Sequence, residues 1–228
     1  MKKAKCLCGL FVITILTGVS YASGVDYDSL PELKSPDRKE PKVIYRLLEK
    51  SHQTILGFTL MQNSFSEVEK KFPGTQEAPI EGFTHGTSVC ISAAQANDLT
   101  KVLFVRIPVA DLHGFVLLAG ESTVKAPGRC IPSAEVHRGM KTPGGIRLGM
   151  GMEEVVKLLG KPSTQGDNLL LYRFEILKKF SKESFEQYTT ENKDADPKTL
   201  YSEVRTDIKI EFMKNRLVSY SVSTTDTF

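Results

Sequence analysis

The stretch Gly145-Ile146-Arg147-Leu148-Gly149-Met150-Gly151-Met152-Glu153-Glu154-Val155-Val156-Lys157-Leu158-Leu159-Gly160-Lys161-Pro162 carries most of the fold information in this chain. Met152, Val155 and Leu159 fall at i, i+3 and i+7, one face of a short amphipathic helix. Glu153 and Glu154 stand at its start, where negative charge complements the helix dipole, and Gly160 with Pro162 ends it. An earlier segment reads the same way. Gly57-Phe58-Thr59-Leu60 precedes Ser64 to Gly74, in which Phe65, Val68 and Phe72 repeat the spacing. Ser64 and Glu67 fit a capping box there, and Pro73-Gly74 closes the helix. Two helices with matched spacing, each introduced by Gly-apolar-x-Leu, predict an internal duplication.

Strands are expected after each helix. Leu170, Tyr172, Phe174 and Ile176 alternate with Leu171, Arg173 and Glu175, and Ile208, Ile210 and Phe212 alternate with Asp207, Lys209 and Glu211. Lys214-Asn215 makes a tight turn into Val218, Tyr220 and Val222, which alternate with Ser219 and Ser221. Period two with one polar face marks an antiparallel sheet covered on one side. Ser88 to Ser92, Lys101 to Ile107 and Leu112 to Ala119 are the strands expected of the first copy. The fold class is therefore α+β: two tandem repeats of a short helix followed by an antiparallel β-sheet, with the helices packed on one face. The first repeat covers 54–131 and the second 132–228, interrupted by a charged insertion at 178–196. Leu177, Phe180 and Tyr188 could share a helical face within that insertion, and Asn192 to Pro197 reads as loop.

The phrases Gly145-x-x-x-Gly149-Met150, Glu154-Val155-x-x-x-Leu159-Gly160-x-Pro162 and Phe212-x-x-Asn215-Arg216-Leu217 resemble the β-lactamase-inhibitory-protein-like superfamily, which includes the small outer-membrane assembly lipoproteins. The resemblance spans residues 143–223 best and 54–131 more loosely, with Met61 at the second Gly and Pro73 in place of the closing Gly. It implies a non-enzymatic envelope protein of a Gram-negative bacterium that presents a sheet to another protein. The motifs are short and structural, so they bear on fold more than on function.

Residues 1–22 read as a secretory signal peptide: Lys2, Lys3 and Lys5, an apolar stretch from Leu7 to Val19, and small residues at Ser20 and Ala22. The apolar stretch falls short of the ~18–20 residues of a membrane span, and no cysteine follows it for lipid attachment. The expected location is the periplasm or the extracellular medium, with no stable membrane insertion after cleavage. Residues 23–53, with Pro31, Pro36 and Pro41, read as an extended N-terminal arm leading into a short helix near Val43 to Lys50. The chain has 30 basic and 27 acidic residues, and removing 1–22 leaves 27 of each. The basic excess belongs to the leader, so no nucleic-acid partner is expected. Cleavage also removes Cys6 and Cys8, leaving Cys90 and Cys130 to pair as a structural disulfide in an oxidising compartment.

Familiar catalytic motifs do not fit. Gly86-Thr87-Ser88-Val89-Cys90 lacks the final Gly of a serine-hydrolase elbow, and Gly160-Lys161 is followed by Pro162 where a phosphate loop needs Ser or Thr. Gly149-x-Gly151 enters a short helix and serves a tight turn. His52, His85, His113 and His137 lie too far apart for zinc spacing and read as scattered surface residues. No enzyme activity, cofactor or metal is expected. The favoured reading is an inhibitor-like or protein-binding module whose partner is another envelope or extracellular protein. The candidate contact residues are Leu169, Leu171, Arg173, Glu175, Lys209 and Glu211, on the sheet face away from the helices. The alternatives are a small-ligand carrier at the junction of the repeats, or a hydrolase with a dispersed site.

Overall fold

A computed structural model describes residues 43–80, 86–107, 110–126, 129–179, 190 and 201–227. The expected signal peptide, most of the N-terminal arm and the centre of the charged insertion lie outside the described residues.

The two helices form where the apolar spacing places them. Helix α1 (Phe65–Lys71) buries Phe65 and Val68, with Phe72 buried at its end. Its capping box is complete: Ser64 Oγ accepts from the Glu67 amide at 3.2 Å, and Glu67 Oε2 accepts from the Ser64 amide at 2.6 Å. The Phe65 amide donates to Asp111 Oδ1 at 3.0 Å, tying the helix start to a strand. Helix α2 (Met152–Leu159) buries Val155 and Leu159. Gly151 has no side chain to offer, so only half of the box exists there, the Gly151 amide donating to Glu154 Oε2 at 2.8 Å. Met61 (φ 60°) takes the left-handed conformation that Gly149 (φ 80°) adopts before α2.

The strands are β1 (Thr54–Ile55), β2 (Phe58–Thr59), β3 (Ala78–Pro79), β4 (Thr87–Ala93), β5 (Lys101–Ile107), β6 (Ala110–Leu118), β7 (Ile131–Ser133), β8 (Thr164–Gln165), β9 (Leu169–Lys179), β10 (Tyr201–Met213) and β11 (Arg216–Thr227). The first two pair as a small hairpin. The other nine form one sheet in the order β3-β4-β5-β6-β11-β10-β9-β8, with β7 beside β4. All pairings within it are antiparallel except β4–β7. The protein is α+β. What the sequence presents as two sheets is continuous, because β6 and β11 pair directly from Gly114↔Ser223 to Leu118↔Ser219. Gly114 makes that pairing possible: a Cβ there would stand 2.7 Å from the Val222 carbonyl oxygen. The β10–β11 turn forms at Lys214-Asn215, both with positive φ (52° and 57°), as a two-residue hairpin with right-handed strand twist requires.

Both helices pack on one face of the sheet. The core there joins Phe65, Val68, Val155 and Leu159 to inward residues of six long strands, among them Ile91, Phe104, Phe115, Tyr172, Ile210 and Tyr220. Tyr172 closes the end of α2 by donating to the Gly160 carbonyl at 3.1 Å, and burial pushes its pKa up to about 12.

The short helix expected at Val43 to Lys50 is not there. Ile44 instead pairs in parallel with Phe174, its amide bonding the Arg173 carbonyl at 2.8 Å, and a 3-10 turn follows at Lys50–Gln53. Sheet groups hold this segment: Tyr220 donates to the His52 carbonyl at 2.9 Å, and Thr224 to Gln53 Oε1 at 3.3 Å. Tertiary pairing overrides a weak local helix preference. The insertion also begins later than expected, since β9 continues through Lys178 and Lys179.

Candidate binding groove on the open sheet face

The sheet has a second face, and its two halves differ. On the β4-β5-β6 half, Cys90, Leu103, Val105, Val116 and Leu118 form a smaller apolar cluster with Ile80. The segment after β6 covers it, contributing Val124, Ala126 and Cys130. Cys90 and Cys130 lie at disulfide distance with Cα atoms 4.5 Å apart, fastening this strap beside β4. On the β9-β10-β11 half, the same face carries hydroxyls and charges instead.

Sheet register arranges those groups in rows. One row runs Val116, Ser221, Lys209, Leu171, and the next Gly114, Ser223, Asp207, Arg173. Each row therefore passes from small or apolar residues through a serine to charged residues on β10. The resulting groove has a volume of about 610 Å³. Its floor is Ser219, Ser221 and Ser223 with Asp207, Lys209 and Glu211; one wall is Thr123, Val124 and Lys125 of the strap, the other Ser163 and Thr164 beside β8. Arg173 Nε donates to Asp207 Oδ1 at 3.0 Å and Arg205 Nε to Asp207 Oδ2 at 2.7 Å. Lys209 Nζ pairs with Glu211 Oε1 at 2.7 Å. These pairs are partly exposed and add little to stability, but they fix where charge is presented.

Four of the six residues selected from sequence, Leu171, Arg173, Lys209 and Glu211, line this groove. Leu169, opposite Glu211 in the register, and Glu175, opposite Arg205, flank them. Glu175 was expected to face solvent and is instead only 9% exposed. It sits beside the entering N-terminal segment, its amide bonded to the Ile44 carbonyl at 3.1 Å. Asp207, the serine row and the strap wall were not selected. Uninterrupted apolar runs at Val102–Val105 and Phe115–Leu118 were the available signal, since strands apolar on both faces must be covered on both.

The expectation of surface histidines also needs correction. His52 is 7% exposed and His113 5%. Burial lowers the pKa of each: Glu49 opposes the shift at His52, and the Thr224 backbone and Asp207 oppose it at His113. His137 is exposed, and His85 lies outside the described residues. Among the described residues, no group of three His, Cys, Asp or Glu side chains is placed to hold a metal. No helix among them is long and apolar enough to cross a membrane. No family model, curated protein or solved structure matches the chain.

Proposed function

We propose that this chain is an exported, non-enzymatic binding module of the Gram-negative envelope, acting in the periplasm or outside the cell, and that the groove receives a segment of another protein. The observation that carries this reading is the contrast, among the described residues, between halves of one sheet face: a fastened strap covers the first, and a groove of about 610 Å³ occupies the second. The β-lactamase-inhibitory-protein-like resemblance and the leader-like residues 1–22 support it from the sequence side. Duplication of a helix-and-sheet unit is part of the proposal. It is supported by the strand order, which reads β3-β4-β5-β6 outward to the seam and β8-β9-β10-β11 inward to the same seam, each set led by a helix.

The test is capture of a partner from envelope extract with a groove-filled variant as control. Ser221→Trp should abolish recovery of a stoichiometric partner, while Lys157→Glu on the helix side should not. Equal recovery with both variants removes the groove from the function. Leu171→Asp separates contact surface from core: it should leave the fold intact, and an unfolded variant would make Leu171 a core residue.

A second reading is a small-ligand carrier at the junction of the halves. The groove volume lies within the ~300–1,000 Å³ of ligand pockets, and Val116 of β6 and Ser221 of β11 both line it.

A further inference from the structure

We infer that residues 44–53 form an acid-released clasp across the helix side of the sheet, with His52 as its pH-sensitive fastening. The segment runs from the outer edge of β9 to the middle of the sheet. At one end the Ile44 amide donates to the Arg173 carbonyl at 2.8 Å and its carbonyl accepts from the Glu175 amide at 3.1 Å. At the other, the Tyr220 hydroxyl of β11 donates to the His52 carbonyl at 2.9 Å. Little apolar surface holds the segment between these ends. Only Leu48, His52 and Gln53 of it are buried, and Leu47 is 56% exposed. A segment with so few buried apolar contacts opens more easily than the strands beneath it.

Two of its three buried side chains are polar. Gln53 is satisfied, donating to the Leu48 carbonyl at 2.8 Å and accepting from Thr224 at 3.3 Å. His52 is not. Its Nδ1 is buried with no hydrogen-bond partner among the described residues, and a Cβ on Gly144 would collide with that atom. A neutral imidazole can keep one nitrogen bare, whereas the charged ring carries an N–H on both and needs an acceptor for each. The elements packed around His52 present the Tyr220 hydroxyl of β11, Gly144, and Leu158 and Leu159 of α2, none of them an acid. Burial holds the ring's pKa down; Glu49 of the segment itself opposes this and Arg46 adds to it. Protonation therefore favours the open segment, in which water solvates the ring. Opening withdraws Arg46 from the Leu159 carbonyl, 2.9 Å away at the end of α2, and bares the part of the core that Leu48 covers.

The test is hydrogen exchange of the full chain by mass spectrometry from pH 7.5 to 5, each rate divided by its intrinsic value. Protection of 44–53 should fall by up to about tenfold per pH unit below ~6.5, ahead of β10 and β11. His52→Gln, which takes up no proton there, should hold that protection level. Equal losses in 44–53 and in the two strands would mean that the sheet opens as a whole, and would overturn the clasp. A loss that survives His52→Gln, or no loss in the parent down to pH 5, overturns the role of His52. Proton NMR of the His52 ring in the unaltered chain decides the matter if that variant fails to fold. A ring midpoint below ~6.5 supports the fastening, and one at or above that value overturns it.

Discussion

Removing the Cys90–Cys130 link should cost stability through the unfolded chain, leaving the native sheet in place. The link spans a sequence separation of 40 residues. Closing a loop of that length lowers unfolded-state entropy by an amount worth about 4 kcal/mol at 25 °C in the chain-entropy treatment. In the native state the strap has other attachments. Ile131 pairs with Ile91 next to the link, and Val124 and Ala126 pack on the apolar cluster beneath. The native structure should therefore persist after reduction, and the loss should appear as a lower denaturant midpoint. The chain has no tryptophan, so urea unfolding is best followed by far-UV circular dichroism. Oxidised protein, reduced protein and Cys90→Ala with Cys130→Ala form the comparison. Reduced protein keeps the buried sulfurs and isolates the cross-link from the side-chain volume that alanine removes. A loss under ~1 kcal/mol, within the range of ordinary single substitutions, would refute the entropic argument. Loss of the native sheet signal before any denaturant is added would refute it differently, by making the link a condition of the native structure.

Other outcomes follow from single contacts. Tyr220→Phe removes the hydroxyl that donates to the His52 carbonyl at 2.9 Å and should cost about 1–2 kcal/mol in urea unfolding; a neutral result would mean that water replaces the bond. Gly114→Ala places a Cβ 2.7 Å from the Val222 carbonyl oxygen and should cost ~1–3 kcal/mol, with faster amide exchange in β6 and β11; unchanged exchange would contradict the tight seam. Stability should fall with pH through the histidines. Burial holds the folded-state pKa of His52 and His113 below the ordinary ~6.5, so below that pH the unfolded chain takes up protons that the folded chain does not. The loss begins near pH 6.5 and ends once the lowered folded-state values are passed. Melting temperatures measured from pH 7.5 downward should decline in that window, and His113→Asn should flatten part of the slope.

The helices were legible because their determinants are local. Phe65, Val68 and Phe72, and Val155 and Leu159, sit on one face by spacing alone, and Ser64 with Glu67 marks a start that the hydrogen bonds reproduce. Strands β9, β10 and β11 were legible for the same reason, their alternation being written residue by residue. The seam was not, because Leu118 meets Ser219 from far along the chain and neither carries a local signal for the other. Val43 to Lys50 read as helix because the anchors of this part of the chain, Phe174 for Ile44 and Tyr220 and Thr224 for the turn that follows, are remote in sequence. Charged alternation on β10 identified Lys209 and Glu211. The groove also needed the strap, and only the doubly apolar runs of β5 and β6 hinted at that cover. His52 and His113 misled because polarity at a single position does not report what later segments lay over it.

The seam also sets an order of assembly. Strand β11 is the last described strand made, yet it stands between β6 and β10 in the middle of the sheet. Until Arg216 to Thr227 has been synthesised, β6 has no partner on that side. Its Phe115–Leu118 run then lines a sheet edge able to pair with other chains. The earlier strands must therefore wait for β11 before the sheet is continuous. A chain interrupted before Arg216 would be a solubility hazard, and no shortened form ending there should accumulate as a stable fragment.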